Sequence, residues 1–453
     1  MKKLKIHPLT RIEGDASLEI VFDDQGNLKR LRWLSELFRG FEKICLGRPV
    51  EEMPFLTSRI CGICAEAHHL ASLRAVDQIF GLTPPPWAQK VRAIFLLSSL
   101  VRDHLTVLYL FSGPDLKPSP QNREALAWLK ENGLLHDFLQ SRSRIRRILE
   151  IVGGRGLQAV GGFPGSWSKS ITAEEKEELI QLTQKERAFA AKTFDFFGEI
   201  LLKKEYQNPL KIPFLALLPD NLPGFLGRRI GILTSEEKPY KDFRAEKFQE
   251  YIVEEDSTEC PNLRTTQLKS LGPYLVGPLA RFHLWPEPST PLAQKAYREI
   301  KNCLKHQQLR DYEIAHLFRA YEILLACEQI ESLSQEIEIQ RKDEKEPKFE
   351  LQREGIGVVE APRGLLIHHY QVDKKGLITK VNIITPTAQN SPIIFMTIRA
   401  YLKSSPKNNP QKLTKDIEKI IRAFDPCVPC MLHIIPSNKD AAKLSIAIQN
   451  KSF

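Results

Sequence analysis

A chain of 453 residues, 42% hydrophobic and 26% charged, can bury a substantial core and has the composition of an ordinary soluble protein. Its net charge of +10, from 65 basic against 55 acidic residues, is interspersed and comes with no nucleic-acid motif, so nucleic-acid binding is set aside. No run of 18 apolar residues offers a direct membrane span, eight cysteines are too sparse for a disulfide scaffold, and the start Met1-Lys2-Lys3 lacks the apolar stretch of a secretory signal; a cytoplasmic location is expected.

In chain order, residues 17–22 alternate, 23–27 (Asp-Asp-Gln-Gly-Asn) offer turn chemistry and 28–33 resume, which predicts a hairpin. Residues 87–111 carry apolar positions at helical spacing and should end at Gly113-Pro114. The basic run 142–147 (Arg-Ser-Arg-Ile-Arg-Arg) reads as a solvated helix face, with a phosphate or an acidic partner as the alternative. Thr172-Ala173-Glu174-Glu175 has the form of a capping box that opens a helix to about Lys203. Residues 200–285 show no clear period and predict an irregular insert with short strands. A broken helix should follow over 291–334, then an exposed loop over 340–350. A second small β region is expected around 357–360 and 368–372, with 373–376 as its turn. The predicted fold class is α+β: mainly helical, with small antiparallel hairpins at the edges. Cys45, Cys260, Cys303 and Cys327 are expected to be small buried hydrophobes.

Two Cys-x-x-Cys pairs stand at opposite ends, Cys61-Gly62-Ile63-Cys64 and Cys427-Val428-Pro429-Cys430, each with a histidine close behind, His68 and His433. A local zinc knuckle closes over far fewer residues than separate these pairs, so the two would have to meet in the fold as one four-thiolate site. Spacing alone leaves three metals open: structural zinc, an iron–sulfur cluster, or a redox metal with open coordination positions.

The surroundings narrow this. Arg59 to His68 and Asp425 to His433 together resemble the large, metal-carrying subunit of nickel–iron hydrogenases. So do Thr10-Arg11-Ile12-Glu13-Gly14, Phe38-Arg39-Gly40-Phe41-Glu42, the block Glu360-Ala361-Pro362-Arg363-Gly364 with its His368-His369-Tyr370, and Pro386-Thr387-Ala388-Gln389-Asn390, all in that family's order. Length and the His-His-Tyr block look most like the cytoplasmic multimeric branch, the methyl-viologen-reducing and bidirectional enzymes. The resemblance implies the large-subunit fold and reversible heterolytic cleavage of dihydrogen. Cys61 and Cys427 would be terminal on nickel; Cys64 and Cys430 would bridge to an iron that carries carbon monoxide and cyanide. It further implies Glu13 as proton relay beside the Cys427 sulfur and Arg363 over the open metal face. His68 would be partner to a bridging thiolate, Thr387 donor to a cyanide, and Asp115 near the metal ligands. Glu42 and His433 would hold a second Mg2+ or Fe2+. His104 and His69 read equally or better as core and packing residues. Without a relay function, Glu13 would be a strand carboxylate paired with Arg11.

The domain layout that goes with this is one catalytic domain over 1–433: a β-rich edge at about 1–35, a helical core at about 50–335, and a β-containing segment with the C-terminal ligand motif at about 350–433. Residues 434–453 would be an extension that a maturation protease removes by cutting between His433 and Ile434 once nickel-insertion proteins have loaded the site. An iron–sulfur small subunit is implied, with flavin or heterodisulfide reductase-type acceptors beyond it. Two departures stand out: Pro429 with Met431-Leu432 in the second motif, and Gly153 to Gln158 where relatives often have a histidine-proline element. The rival readings are a non-catalytic subunit of the same fold in an electron-transfer complex, and a zinc-stabilised scaffold.

Overall fold

The computed structural model describes residues 2–35, 40–119, 124–158, 161–220, 224–260, 263–337, 350–405 and 409–431. Four long helices form its centre: Pro86–Leu105, Leu135–Gly153, Ala173–Leu201 and Ala315–Glu336. The last packs on the first and third and buries Leu317, Phe318, Ala320, Ile323, Leu324 and Ile330 around its whole circumference, as a helix with neighbours on all sides must. Ala173–Leu201 opens on the expected capping box. Thr172 accepts from the Glu175 N–H, and the Glu175 carboxylate accepts from the Thr172 N–H, a cap that contributes about 1 kcal/mol.

The helix expected to stop at Gly113-Pro114 does not stop. A π-helical turn, Thr106–Ser112, follows Pro86–Leu105 and runs directly into Gly113–Leu116, which contains Pro114. The continuous segment Pro86–Leu116 is long and apolar enough to cross a membrane, but 89% of its apolar window is buried inside the fold.

Small antiparallel sheets flank the helices. Lys2–Ile6, Ser17–Phe22 and Leu28–Leu34 pair in that order, with Asp23 Oδ1 accepting from the Asn27 N–H in the predicted turn. The segment 200–285 is more regular than its sequence suggests. Phe214–Leu218, Arg229–Leu233 and Pro239–Arg244 form one sheet, and Ile252–Asp256 pairs with Arg264–Leu268. Phe-Leu-Ala-Leu-Leu is apolar without alternation because four of its five residues are buried, so the period-2 signal is missing. Residues 340–349 of the expected loop lie outside the described residues.

Another three-stranded sheet, Glu354–Ala361, Gly364–Val372 and Ile378–Ile384, lies against the helix Ala65–Ile79 that leaves the first cysteine pair. The approach is so close that a Cβ at Gly357 would stand 1.8 Å from the Ala71 carbonyl oxygen; only glycine fits. The basic run 142–147 is largely spent inside the chain. Arg142 donates to the Arg102 carbonyl and the Thr106 hydroxyl, Arg144 pairs with Glu186, Arg146 with Glu150 and Arg147 with Glu178. Cys45, Cys260 and Cys327 are buried, whereas Cys303 is exposed at the end of the amphipathic helix Pro291–Cys303.

Candidate metal centre

The first cysteine pair is built by local helix geometry. A 3-10 turn, Ser58–Ile60, delivers Cys61, and Cys64 is the residue that caps the start of Ala65–Ile79. The Cys64 N–H, at the positive end of that helix, donates to Cys61 Sγ at 3.3 Å, which favours thiolate at Cys61. The loop between is tied down by the buried Arg102, which donates to the Ile63 carbonyl at 2.9 Å, pairs with Glu66 and reaches the Gly156 carbonyl at 3.2 Å. Thus the Gly-rich segment that departs from the family pattern lies against this pair; Gln158 also meets Arg59. His68, one turn into the helix, shares a face with Cys64.

Long-range ties hold the second pair instead. The helix Pro410–Phe424 ends on Asp425 in the left-handed conformation (φ 54°, ψ 59°), which aspartate tolerates, and Pro426 prevents continuation. Cys427 to Cys430 then wind into the short helix Val428–Met431. The Cys427 N–H donates to Thr387 Oγ1 at 3.1 Å, Thr385 Oγ1 donates to the Cys430 carbonyl at 2.9 Å, and the Val428 N–H donates to the Glu13 carbonyl at 2.9 Å. Pro429 occupies the first turn of its helix, so its missing N–H breaks no helical bond, and its ring packs on Gly14. A Cβ on Gly14, whose φ is +93°, would stand 2.6 Å from Pro429 Cδ and 2.9 Å from Val428 Cβ. The glycine of Thr-Arg-Ile-Glu-Gly is therefore matched to the proline in the second pair.

The four sulfurs converge. Cys61 Sγ lies 3.4 Å from Cys427 Sγ, Cys64 Sγ 3.5 Å from Cys430 Sγ, and Cys427 and Cys430 are 3.0 Å apart. All four lie within 4.8 Å of one another and all are buried. That span is close to the ~4.6 Å allowed by two thiolates on one ion at ~2.3 Å each. Sharing of S–H protons from Cys427, Cys430 and Cys64 holds Cys61 well below the ordinary thiol value, while Cys64 is pushed up by its sulfur neighbours and Cys427 and Cys430 by burial. One negative charge spread over crowded thiols is a donor set that a thiophilic cation stabilises. A small cavity opens beside them, lined by Cys64, His68, Pro362, Arg363, Leu366, Pro386, Thr387, Cys427 and Cys430.

Arg363 stands at the tip of the two-residue turn between Glu354–Ala361 and Gly364–Val372. Its guanidinium is gripped on three sides: Nη1 donates to Asp103 Oδ2 at 2.8 Å, Nη2 to Asp425 Oδ1 at 3.0 Å and Nε to the Asp425 carbonyl at 2.7 Å. The neighbouring carboxylates hold it charged against burial, and burial pushes Asp425 up to about 7. Behind it, the fully buried Arg281 donates to the Ala361 and Pro362 carbonyls and pairs with Glu322 and Glu360. Glu322 also takes His104 Nε2 at 2.8 Å. Asp103, Asp425 and Arg281 were not among the expected site residues. The available signal was the sequence Arg102-Asp103-His104 at the end of an apolar run: consecutive helical residues fan out by about 100°, and these three brace the cysteine loop, Arg363 and the Arg281 network respectively.

Glu13 lies with its backbone against Cys427 in an isolated parallel bridge, but its carboxyl turns toward Gly62 and Cys61. Burial, reinforced by the Cys61 charge and opposed by Arg363, raises it to about 7. Arg11 is not its partner: Arg11 pairs with Asp115, which also takes Arg422 at 2.6 Å. Asp115 is thus a strap between the N-terminal segment and the helix Pro410–Phe424, and it does not line the cavity. His68 Nε2 lies 3.5 Å from Cys430 Sγ. His69 packs as expected, between the Pro54 carbonyl and the Gly162 N–H, and burial lowers it to about 4. His104 is a buried member of the Arg281 network.

Glu42 lines a separate small cavity with Glu254, Arg264, Thr266, Ile383 and Met431. It accepts the Ile383 N–H at 3.0 Å, and burial raises it to about 7, so it is no surface salt bridge. His433 and the proposed cut at His433–Ile434 lie outside the described residues. A cleft of about 330 Å³, lined by Arg74, Asp77, Arg92, Arg228 and Glu246, is larger than either cavity but contains none of these groups.

Comparison with known proteins agrees with this geometry. The family profile described as nickel-dependent hydrogenase matches residues 39–117 and 271–433, and one described as HoxL-like matches 3–33. An F420-non-reducing hydrogenase iron-sulfur subunit of Archaeoglobus profundus is 31% identical over 96% of this chain and 95% of its own length. A vhc F420-non-reducing hydrogenase subunit of Methanococcus voltae is 32% identical over 96% of each chain. The NAD-reducing hydrogenase HoxS subunit beta of Cupriavidus necator is 28% identical over 96% of this chain and 95% of its own. Among solved structures, an NAD+-reducing NiFe hydrogenase in the H2-reduced state superposes with a TM-score of 0.86 at 25% identity, covering 95% of this chain and 99% of that one. The Ni-Fe-Se hydrogenase of Desulfovibrio vulgaris Hildenborough shares the fold, with a TM-score of 0.77 at 22% identity and coverage of 95% and 100%.

Proposed function

Since the chain belongs to the nickel-dependent hydrogenase family as a large subunit, an oxidoreductase, we propose that Cys61, Cys64, Cys427 and Cys430 hold a nickel–iron centre at which dihydrogen is split to two protons and two electrons. The observation that carries this reading is the convergence of four buried sulfurs from positions 61 to 430 beside an arginine clamped by two aspartates. A structural zinc site would need the sulfurs but neither Arg363 nor a carboxyl raised to about 7 beside them. When bound, the centre supplies the two-electron chemistry, with carbon monoxide and cyanide on iron. By the family resemblance Cys61 and Cys427, whose sulfurs lie 3.4 Å apart, would hold the nickel, and Cys64 and Cys430, 3.5 Å apart, would be shared with the iron.

The protein's own groups do the rest. Glu13, close to half ionised near neutral pH, accepts the proton that heterolysis releases. Arg363, charged and immobile, turns the remainder of its forked donor set to the cavity. Thr387 places Cys427, and His68 faces Cys430. Glu42, together with His433, would take a Mg2+ or Fe2+; the second carboxylate in the same small cavity, Glu254, suits a hard cation.

Electrons must leave through another chain, because among the described residues no second cysteine, histidine and carboxylate group forms a metal cluster. The exposed Ile44, Leu46 and Phe55, on the short elements that lead to Cys61, suit contact with an iron–sulfur small subunit. Flavin or heterodisulfide reductase-type subunits would be the onward acceptors. Eight free cysteines suit a reducing, cytoplasmic compartment. We read residues 434–453 as an extension removed after His433 once nickel is in place, which would let Cys427 and Cys430 close last. Infrared spectra of the anaerobically matured complex test the reading: carbonyl and cyanide bands are expected together with hydrogen-dependent dye reduction. A matured sample with zinc, or with no such bands, overturns it.

A further inference from the structure

A file of hydrogen bonds leads from Cys430 away from the cavity. Cys430 Sγ lies 3.5 Å from His68 Nε2, His68 Nδ1 3.0 Å from His368 Nε2, His368 Nδ1 2.5 Å from the Tyr370 hydroxyl, and that hydroxyl 2.9 Å from Ser72 Oγ. Two interleaved periodicities build it. His68 and Ser72 are one turn apart on Ala65–Ile79, while His368 and Tyr370 share a face of Gly364–Val372. None of the four side chains after Cys430 is more than 1% exposed. Among the described residues the file runs to Ser72, which is fully buried.

What such a file does is fix direction. A neutral imidazole with both nitrogens engaged must donate with one and accept with the other, so the end of a chain decides every tautomer along it. At the far end the geometry has Tyr370 donating to Ser72. Thr57, the other hydroxyl against Tyr370, gives its proton to the Met53 carbonyl at 2.8 Å. The Tyr370 oxygen must then accept from His368 Nδ1–H, and His368 Nε2 must accept from His68 Nδ1–H. His68 is left with an unprotonated Nε2 facing Cys430 Sγ, an acceptor that the Cys430 S–H can use in place of the Cys61 sulfur.

We propose that His368 and Tyr370 are positioning residues that set which nitrogen of His68 carries its proton, and hence whether Cys430 meets an acceptor or a donor. For a metal-bound thiolate the required order is the reverse: His68 Nε2–H to sulfur, His368 Nε2–H to His68 Nδ1, and the Tyr370 hydroxyl turned from Ser72 to His368 Nδ1. The single proton by which the two states differ is that of the thiol, released when the sulfur takes a metal. Tyr370 suits the swivel because its hydroxyl can donate on either side, a choice phenylalanine lacks. This second arrangement rests on the proposed nickel–iron site; the first does not.

Full-length, metal-free protein labelled with 15N at its histidines reports ring tautomers directly, with His68→Gln and His368→Gln assigning the signals. The expected result is Nδ1–H for both rings in the parent and a mixture of tautomers in Tyr370→Phe, with melting unchanged enough to show an intact fold. An Nε2–H tautomer at His68 in the parent, or tautomers that Tyr370→Phe leaves unaltered, overturns the proposal whatever metal the site takes. In the matured complex, Tyr370→Phe should shift the carbonyl band, since the bridging sulfur loses its fixed donor. Bands present but unmoved count against the swivel, whereas bands absent from the parent as well count against the nickel–iron reading.

Discussion

The two cysteine pairs do equivalent work and are made in different ways. Cys61 and Cys64 are set by a turn and the helix it starts, with Arg102 tying the loop to the same helix neighbourhood. Cys427 and Cys430 take their positions from Thr385, Thr387, the Glu13 carbonyl, Gly14 and Arg363, which come from three distant stretches of chain. A site half local and half borrowed has one rigid wall and one wall that exists only when the rest of the fold is complete. Loss of a single distant tie should therefore loosen the second pair and leave the first in place.

Removing Arg363 should break the second wall most severely. Arg363→Ala leaves Asp103 and Asp425 buried without their cation, a loss of about 3–5 kcal/mol, visible as a large fall in melting temperature and in nickel retained after desalting. Adding Asp103→Asn and Asp425→Asn should restore stability without restoring hydrogen uptake. Next comes the seam between the walls. Glu13→Gln should lower uptake by about 10²-fold or more and abolish the rise of activity with pH through about 7 that is expected of the parent as Glu13 ionises. The linked effect on stability has the opposite sense. Because folding raises this carboxyl from 4.5 to about 7, the folded state holds the proton more tightly than the unfolded state, and the contribution of Glu13 to stability falls as pH rises from about 4.5 to about 7. Glu13→Gln should flatten that part of the stability profile.

Gly14→Ala forces a side chain into a left-handed residue packed against Pro429 and should cost about 2–3 kcal/mol. Pro429→Ala in the same chain should recover part of the loss, measured by denaturant unfolding. Thr387→Val is the mildest. It leaves the buried Cys427 N–H without its acceptor, about 1 kcal/mol, and should slow metal loading of the second pair more than it changes melting.

Much of this site was legible in the sequence because its chemistry is carried by short motifs: both Cys pairs, Glu13, Arg363, Thr387 and His68 come together within one enclosure. The hairpin at 17–33 and the capped helix from Thr172 were readable because turn and cap residues act locally. What escaped was what depends on burial. Asp103 and Arg281 lie in apolar runs where a charge reads as an interruption, and only the fold reveals that each is the counterion of a residue distant in the chain. Asp115 carries a motif resemblance yet spends both oxygens on Arg11 and Arg422. Short strands were legible in 200–285, but the sheet over 214–244 was not, because Phe214–Leu218 is buried on both faces and does not alternate; the helix runs past Pro114 by way of the π turn Thr106–Ser112.

Metal content of cysteine variants tests most directly the claim that both walls enclose one centre. With the parent matured anaerobically alongside, Cys64→Ser and Cys427→Ser are each predicted to lose nickel and iron together. Nickel retained at parent stoichiometry when either pair is broken, or zinc in its place in the parent, would contradict it.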